Sequence, residues 1–212
     1  MEKKFELTNE TIVVDGRILH RIKSLRDIPG TPIKKGYLGG FVEKEENLSH
    51  EGNCWIYGNA RVYGYARICN NAWIFGNARI SGNAYVYGNA WVSGNAWVYG
   101  NVHISGNTWL YGNAHVYGNA RVYGNAWVYG DANIKSLDDI CYISSFGSRN
   151  GHTTFFRCKD NTIKVKCGCF SGTLDEFRVK VKETHGDNQY AKEYLAIADV
   201  VELRLNRKNE VE

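Results

Sequence analysis

The segment from Cys54 to Ile134 contains no lysine and no glutamate, and Asp131 is its single acidic residue. Its basic side chains are four arginines, whereas the flanks are nearly neutral, with nine basic and nine acidic residues before it and thirteen and twelve after it. This distribution is neither the acidic surface of a DNA mimic nor the Lys/Arg stripe of a general nucleic-acid binder.

Long apolar runs are also missing. No stretch approaches the roughly eighteen apolar residues that a membrane-spanning helix needs, and Met1 to Phe5 lack the apolar run of a signal peptide. We therefore expect a cytoplasmic protein that does not enter a membrane. Because the six cysteines have no secretory signal beside them, we expect reduced thiols and no disulfide.

A six-residue unit, in its clearest form Val-Tyr-Gly-Asn-Ala-Trp, repeats thirteen times between Cys54 and Ile134 without an insertion or deletion. Such a short unbroken period indicates a solenoid. Within each unit the small residue and the aliphatic residue two positions later are predicted to point inward, and Gly-Asn supplies the corner. Val42 and Leu48 stand in phase with Cys54, so we place the solenoid at residues 36–136.

The outward positions contain a second period of eighteen residues, which is three units and therefore one triangular coil. Five indoles fall into one predicted column, roughly 4.8 Å apart: Trp55, Trp73, Trp91, Trp109 and Trp127. A companion column beside them is also mostly aromatic: Tyr57, Phe75, Ser93, Tyr111 and Tyr129. One side of the prism is thus predicted to be almost wholly aromatic.

The other two sides mix cations with aromatic rings. One carries Arg61, Arg79 and His115, and the other carries Arg67, His103 and Arg121. Both are candidate binding surfaces for a protein or an anion.

The repeated pattern of an aliphatic residue followed by x-Gly-Asn-Ala resembles the hexapeptide-repeat, left-handed parallel β-helix family. With the preceding Leu38-Gly39-Gly40-Phe41-Val42, it is similar to hexapeptide proteins of bacteriophages and prophages. Left-handed coils are implied by the resemblance alone. The acyltransferases of the family use a solenoid histidine as general base, for which His103 or His115 would stand here, but they also insert a loop into one coil. The repeat has no such loop, which argues against an acyltransferase.

An exposed aromatic side would be larger than the apolar patches that monomers normally show. Three explanations remain open. The rings stack as ladders and form a contact in a homodimer or homotrimer, the C-terminal module covers them, or they bind a ligand or partner.

The flanks predict smaller units. Residues 1–35 form a β element with a hairpin turn at Asp15-Gly16, and residues 137–212 form a βββαα module, so the whole chain is mainly β with an α+β C-terminus. The last predicted strand runs from Thr162 to Phe170. Thr173 and Glu176 form a capping box at the first helix.

Two loops of this module combine glycines, hydroxyls, an arginine and a helix N-terminus, which predicts an anion or phosphate site. Its candidate residues are Ser148, Arg149, Asn150, His152, Thr153, Ser171 and Thr173. Cys167 and Cys169 alternate within the predicted last strand as core residues do, so we expect no metal and no other cofactor.

These patterns favour a non-enzymatic, oligomeric binding protein that recognises a protein partner or a nucleotide-like anion. By its resemblance it would be phage or prophage encoded and act against a host defence in the host cytoplasm. The alternatives are an acyltransferase-like enzyme and a structural spacer in a phage particle or polymer.

Overall fold

The computed structural model describes residues 3–206; the outermost parts of the two predicted flanking units, residues 1–2 and 207–212, lie outside this range. The chain begins with strands β1 (Phe5–Val14) and β2 (Arg17–Ser24), and strand β3 (Leu38–Val42) follows an irregular segment. Asp15 and Gly16 join β1 to β2 with φ of 50° and 75°, as the predicted two-residue turn requires.

Fourteen two-residue strands, β4 to β17, then succeed one another at intervals of six residues. In chain order they are Trp55–Ile56, Arg61–Val62, Arg67–Ile68, Trp73–Ile74, Arg79–Ile80, Tyr85–Val86, Trp91–Val92, Trp97–Val98, His103–Ile104, Trp109–Leu110, His115–Val116, Arg121–Val122, Trp127–Val128 and Asn133–Ile134.

Every third of these strands pairs in parallel, which produces three sheets and confirms the eighteen-residue coil. The first sheet runs β1-β2-β3-β5-β8-β11-β14-β17, the second β16-β13-β10-β7-β4, and the third β15-β12-β9-β6. The architecture is a parallel β-solenoid of about five turns, as the sequence predicts, and left-handed coiling stays a prediction from the resemblance.

The solenoid interior is filled by the two inward positions of each unit. Its alanines and aliphatic residues from Ala60 to Ile134 are at most 1% exposed. The phase of the first coil differs from the prediction, because Val42 and Leu48 pair with Val62 and Ile68. Twenty residues, and not eighteen, therefore separate these partners.

The amino-terminal end of the solenoid is closed by the hairpin segment. Phe5, Ile28 and Ile33 join the solenoid core, and the ammonium of Lys4 is fully buried. Lys4 Nζ donates to the carbonyl oxygen of Cys54 at 2.9 Å and to those of Glu51 and Gly52 at 3.4 Å. Burial is the main reason that the pKa of Lys4 falls below its usual value.

The C-terminal module contains four strands, and the predicted three-strand arrangement is wrong in this respect. Strands β18 (Ile140–Phe146), β19 (Gly151–Arg157), β20 (Ile163–Cys167) and β21 (Phe170–Thr173) form an antiparallel sheet in that order. The predicted strand from Thr162 to Phe170 is interrupted because Gly168 adopts φ of 54° and starts a tight turn.

Two helices complete the module, α1 (Leu174–His185) and α2 (Gln189–Asn206). The predicted capping box is present, since the Thr173 hydroxyl accepts from the Glu176 amide at 3.2 Å and Glu176 Oε2 accepts from the Thr173 amide at 2.7 Å. Phe177, Val181, Tyr194 and neighbouring residues form a second core against the sheet.

The same sheet closes the carboxyl end of the solenoid. Ile140, Phe156 and Cys158 belong to the solenoid core, and Cys158 pairs with Ala132. Asp139 and Arg157 form a buried ion pair of 3.5 Å at this junction. Among residues 3–206, no helix is long and apolar enough to cross a membrane.

Candidate ligand-binding site

The aromatic side of the solenoid contains a continuous indole stack. Ring centroids are 5.2 Å apart between Trp73 and Trp91, and 4.9 Å apart from Trp91 to Trp109 and from Trp109 to Trp127. The planes of the last two pairs differ by 7° and 4°. In-register parallel pairing imposes this geometry, because each indole follows the strand of the coil below it.

The fifth predicted member, Trp55, does not extend this stack. It keeps the strand register opposite Trp73, but it is fully buried and its ring meets Phe5 edge-on at 6.4 Å. The amino-terminal hairpin covers it, which the repeat pattern alone could not reveal.

The companion column is interrupted at Ser93. Tyr57 stacks on Phe75 at 4.7 Å and Tyr111 stacks on Tyr129 at 5.8 Å, but no ring stands between the two pairs. The gap forms an apolar hollow of about 420 Å³, and its wall is formed by Phe75, Trp91, Ser93, Trp109, Leu110, Tyr111 and Trp127. Trp109 is 37% exposed beside it.

The carboxyl end of the aromatic side is partly covered by the C-terminal module. Lys166 Nζ lies 5.1 Å from the Trp127 ring centroid, and the Tyr129 hydroxyl donates to the Val165 carbonyl at 3.2 Å. The C-terminal module therefore covers the aromatic residues of the last coil. It does not cover Trp91 and Trp109, which face outward.

The remaining candidate residues of the solenoid fall on the two predicted sides. Arg61, Arg79 and His115 occupy one outward row, and Arg67, His103 and Arg121 occupy another. Burial and the nearby ammonium of Lys159 lower the pKa of His115. The six-residue strand interval continues from β4 to β17, so no coil carries an inserted loop.

A cavity of about 500 Å³ lies in the C-terminal module. It opens between the β18–β19 turn, the β20–β21 turn and the carboxyl half of α1. Its lining includes Phe146, Phe177 and Tyr194, which are 7%, 3% and 7% exposed. The rings of Phe146 and Tyr194 meet at 5.3 Å, and those of Phe177 and Tyr194 at 5.9 Å.

The polar lining of this cleft carries charge of one sign. Arg149, Lys180, His152 and His185 all line it, and none of its sixteen lining residues is Asp or Glu. Lys180 pairs with Glu183 at 3.1 Å outside the lining set, whereas the Arg149 guanidinium has no ion pair or hydrogen bond within residues 3–206. His185 stacks on Tyr194 at 5.5 Å.

Four of the seven predicted anion-site residues meet at this cleft: Ser148, Arg149, His152 and Thr153. Asn150, Ser171 and Thr173 are not among its lining residues. Thr173 is engaged in capping α1, where the Glu176 carboxylate occupies the helix N-terminus and would repel an anion. The predicted contribution of that helix terminus is therefore not available in this arrangement.

Sequence reasoning missed Lys180, Thr184, His185 and Tyr194. Lys180 and Thr184 are four residues apart and share one face of α1, which was a usable signal. Tyr194 packs in the second core and also lines the cleft.

The two cysteines of the β20–β21 hairpin also line the cleft. Cys167 ends β20, and Cys169 is an exposed turn residue rather than part of a core strand. Within residues 3–206 no group of three or more His, Cys, Asp or Glu side chains is placed to hold a metal ion.

Comparison with known families agrees with the coil architecture. The model described as the YdcK beta solenoid repeat matches residues 56–70, 78–94 and 114–130. No curated protein matches the chain. The chain therefore contains β-solenoid repeats similar to those of the YdcK description, and they make up the central part of its structure.

Proposed function

We propose that this chain is a binding protein whose C-terminal cleft holds a small anionic ligand with a planar ring, such as a nucleotide. One observation carries the proposal, namely that this cleft combines a lining of two cationic residues and two histidines, without a carboxylate, with buried aromatic side chains. Its volume of about 500 Å³ falls within the range of small-molecule sites.

Arg149 is the side chain on which recognition would depend. It is exposed and has no partner among the described residues. Gly147 lies two residues before it in the same turn, and a Cβ at Gly147 would overlap the ring of Tyr194. A guanidinium binds phosphate oxygens in a fixed, two-pronged geometry. Phe170 and Tyr194 would contact the planar part of the ligand.

The experiment is calorimetric titration of the full chain with inorganic phosphate, adenosine monophosphate and guanosine monophosphate. We expect at least one nucleotide to bind more tightly than phosphate, and Arg149→Ala to weaken it about tenfold or more, as loss of a charged hydrogen bond does. Arg67→Ala, which removes an exposed arginine of the solenoid, is the matched control and should bind normally. Absence of heat with all three compounds would refute the proposal.

A second candidate concerns the aromatic side. Trp91 and Trp109 remain partly exposed around the 420 Å³ apolar hollow, which suits burial against a second copy in a dimer or trimer. Sedimentation at several protein concentrations tests this. A monomer throughout would eliminate self-association, and a mass that falls to the monomer in Trp109→Glu would support it.

The resemblance extends the proposal to biology. A phage or prophage protein of this kind would act against a host defence by sequestering a nucleotide-like compound or occupying a protein. Nucleotides recovered from the purified protein by mass spectrometry would support sequestration, and a clean preparation from cells with an active defence would contradict it.

The acyltransferase and particle-spacer alternatives make different predictions. An acyltransferase would bind acetyl-CoA, and the uninterrupted solenoid lacks the inserted loop that the related enzymes use for the acyl donor. Binding of acetyl-CoA in calorimetry would support the acyltransferase. Co-purification with phage particles would support the spacer.

A further inference from the structure

Two guanidinium groups lie side by side on the first sheet of the solenoid. Arg61 on β5 and Arg79 on β8 are direct partners in the parallel register, so roughly 4.8 Å separates their strands. Both side chains are half-buried, which limits screening by water. Like charges directly opposite each other in a sheet are destabilising. This pair therefore requires a compensating interaction.

The described part of the chain does not supply a counter-charge. No ion pair or hydrogen bond is formed by either guanidinium within residues 3–206. The two arginines line a hollow of about 350 Å³ together with Asn77, Asn95, Trp97 and His115, and this set contains no carboxylate.

Hydrogen-bond acceptors are also scarce around this hollow. Arg61 Nε and Trp97 Nε1 are inaccessible to water and have no acceptor. The Asn95 carbonyl oxygen already accepts from Asn77 Nδ2 at 3.3 Å. Buried donors without acceptors cost free energy, so the hollow lacks negative charge and two of its donors lack acceptors.

The charged groups at the two ends do not remove this imbalance. Lys159 Nζ lies 3.4 Å from His115 Nε2 and adds another cation at the carboxyl end. Asp131 accepts from Asn113 at that end, and Asp15 accepts from the Tyr63 hydroxyl near the other end. Neither aspartate lines the hollow.

We propose that this hollow is a phosphate-binding site, separate from the C-terminal cleft. A carboxylate has two oxygens and can be satisfied by one guanidinium, whereas a phosphate carries up to two charges and enough oxygens to accept from both arginines at once. The ligand is free phosphate or a phosphate monoester, because both present the same terminal group.

The test is titration of ¹⁵N-labelled full-length protein with inorganic phosphate, and separately with glycerol phosphate, at constant ionic strength maintained with chloride. The reporter is the indole N–H signal of Trp97, assigned by its loss in Trp97→Phe. We expect a saturable shift with a dissociation constant of about 1 mM or lower. A stronger response to glycerol phosphate would identify the monoester as the ligand, and equal responses would identify the phosphate group alone.

Matched variants separate this site from the proposed cleft. Arg61→Gln and Arg79→Gln should each weaken the Trp97 response at least tenfold, whereas Arg67→Gln and Arg149→Gln should leave it unchanged. In phosphate-free buffer, Arg79→Gln should unfold at the same or a higher urea concentration than the parent chain, because one of two repelling charges is gone. Phosphate should then raise the midpoint of the parent chain more than that of Arg79→Gln.

Three results would overturn the proposal: no Trp97 shift at saturating phosphate, an unchanged shift in both arginine variants, or loss of the shift in Arg149→Gln. Failure of nucleotide binding at the cleft would leave these outcomes unaffected, so the two proposals fail separately.

Discussion

The glycine column at one solenoid corner allows the cost of coil stacking to be measured. Gly58, Gly94 and Gly112 occupy equivalent corners with φ of 58°, 70° and 80°. A Cβ at Gly58 would lie 4.0 Å from its nearest atom in the next coil, whereas a Cβ at Gly94 would lie 2.8 Å from the Gly112 carbonyl oxygen. Gly58→Ala and Gly94→Ala therefore share the backbone strain and differ in the contact between coils.

An alanine in this left-handed conformation costs roughly 1–2 kcal/mol relative to glycine, and both variants should lose that amount. Gly94→Ala must also displace the Gly112 carbonyl, which accepts from the Asn95 amide at 2.8 Å. Overpacking adds roughly 1–3 kcal/mol. We expect a total of about 2–5 kcal/mol for Gly94→Ala, against about 1–2 kcal/mol for Gly58→Ala.

Urea unfolding followed by tryptophan fluorescence measures both values, and Gly112→Ala provides a repeat because its Cβ would lie 2.8 Å from the Gly130 amide nitrogen. If Gly94→Ala and Gly58→Ala agreed within about 0.5 kcal/mol, which is the usual spread of surface substitutions, the coils would not be in the tight contact described above.

Three further outcomes are expected. Ser93→Tyr should fill the gap in the aromatic column and raise the free energy of unfolding by about 1–2 kcal/mol through two new ring pairs, while Ser93→Thr should not; equal stability of the two would argue against a missing ring. Burial raises the pKa of Tyr57 to about 12, so folding stability should decline as the pH rises from about 10, the unfolded value, to about 12. Tyr57→Phe should reduce that decline in urea titrations and, because the hydroxyl is buried without a partner, increase stability at neutral pH; an unchanged decline would assign it to other tyrosines. Asp139→Ala should cost about 3–5 kcal/mol by leaving Arg157 buried without its carboxylate, and thermal unfolding showing less than about 1 kcal/mol would contradict this role.

The repeat made the solenoid predictable because its contacts join equivalent positions of successive coils. Residues eighteen apart, such as Trp91 and Trp109, become neighbours whatever the rest of the chain does. Burial of Trp55 escaped prediction because it depends on Phe5, which lies fifty residues away and outside the period. The slip of two residues before Cys54 escaped for the same reason, since the first coil is shaped by the hairpin.

The candidate site was only half predictable. Ser148 and Arg149 lie in the turn between β18 and β19, and His152 follows near the start of β19, so sequence proximity placed them together. Lys180 and Tyr194 reach the same cleft through the packing of two helices on the sheet, which a single sequence does not specify. The β20–β21 turn was missed because alternation of Ile163, Val165 and Cys167 continues in phase through Gly168, although that glycine was itself a turn signal.

The backbone hydrogen bonds between coils that flank the paired strands point in one direction. Arg61 donates to Ala78, Arg79 donates to Ala96 and Trp97 donates to Ala114, so at these positions each coil donates amides to the coil that follows. At the first coil the Lys4 ammonium donates to backbone carbonyls, and at the last coil the Asp139 carboxylate accepts from the amides of Lys135 and Ser136.

The two ends of the solenoid are therefore electrically unlike, and each cap is specific to its own end. Coils can be added or removed between the caps in steps of eighteen residues without altering either cap. Each step changes the separation between the amino-terminal hairpin and the C-terminal cleft by about 4.8 Å. In proteins of this kind, the number of repeats would therefore set the distance between the hairpin and the cleft.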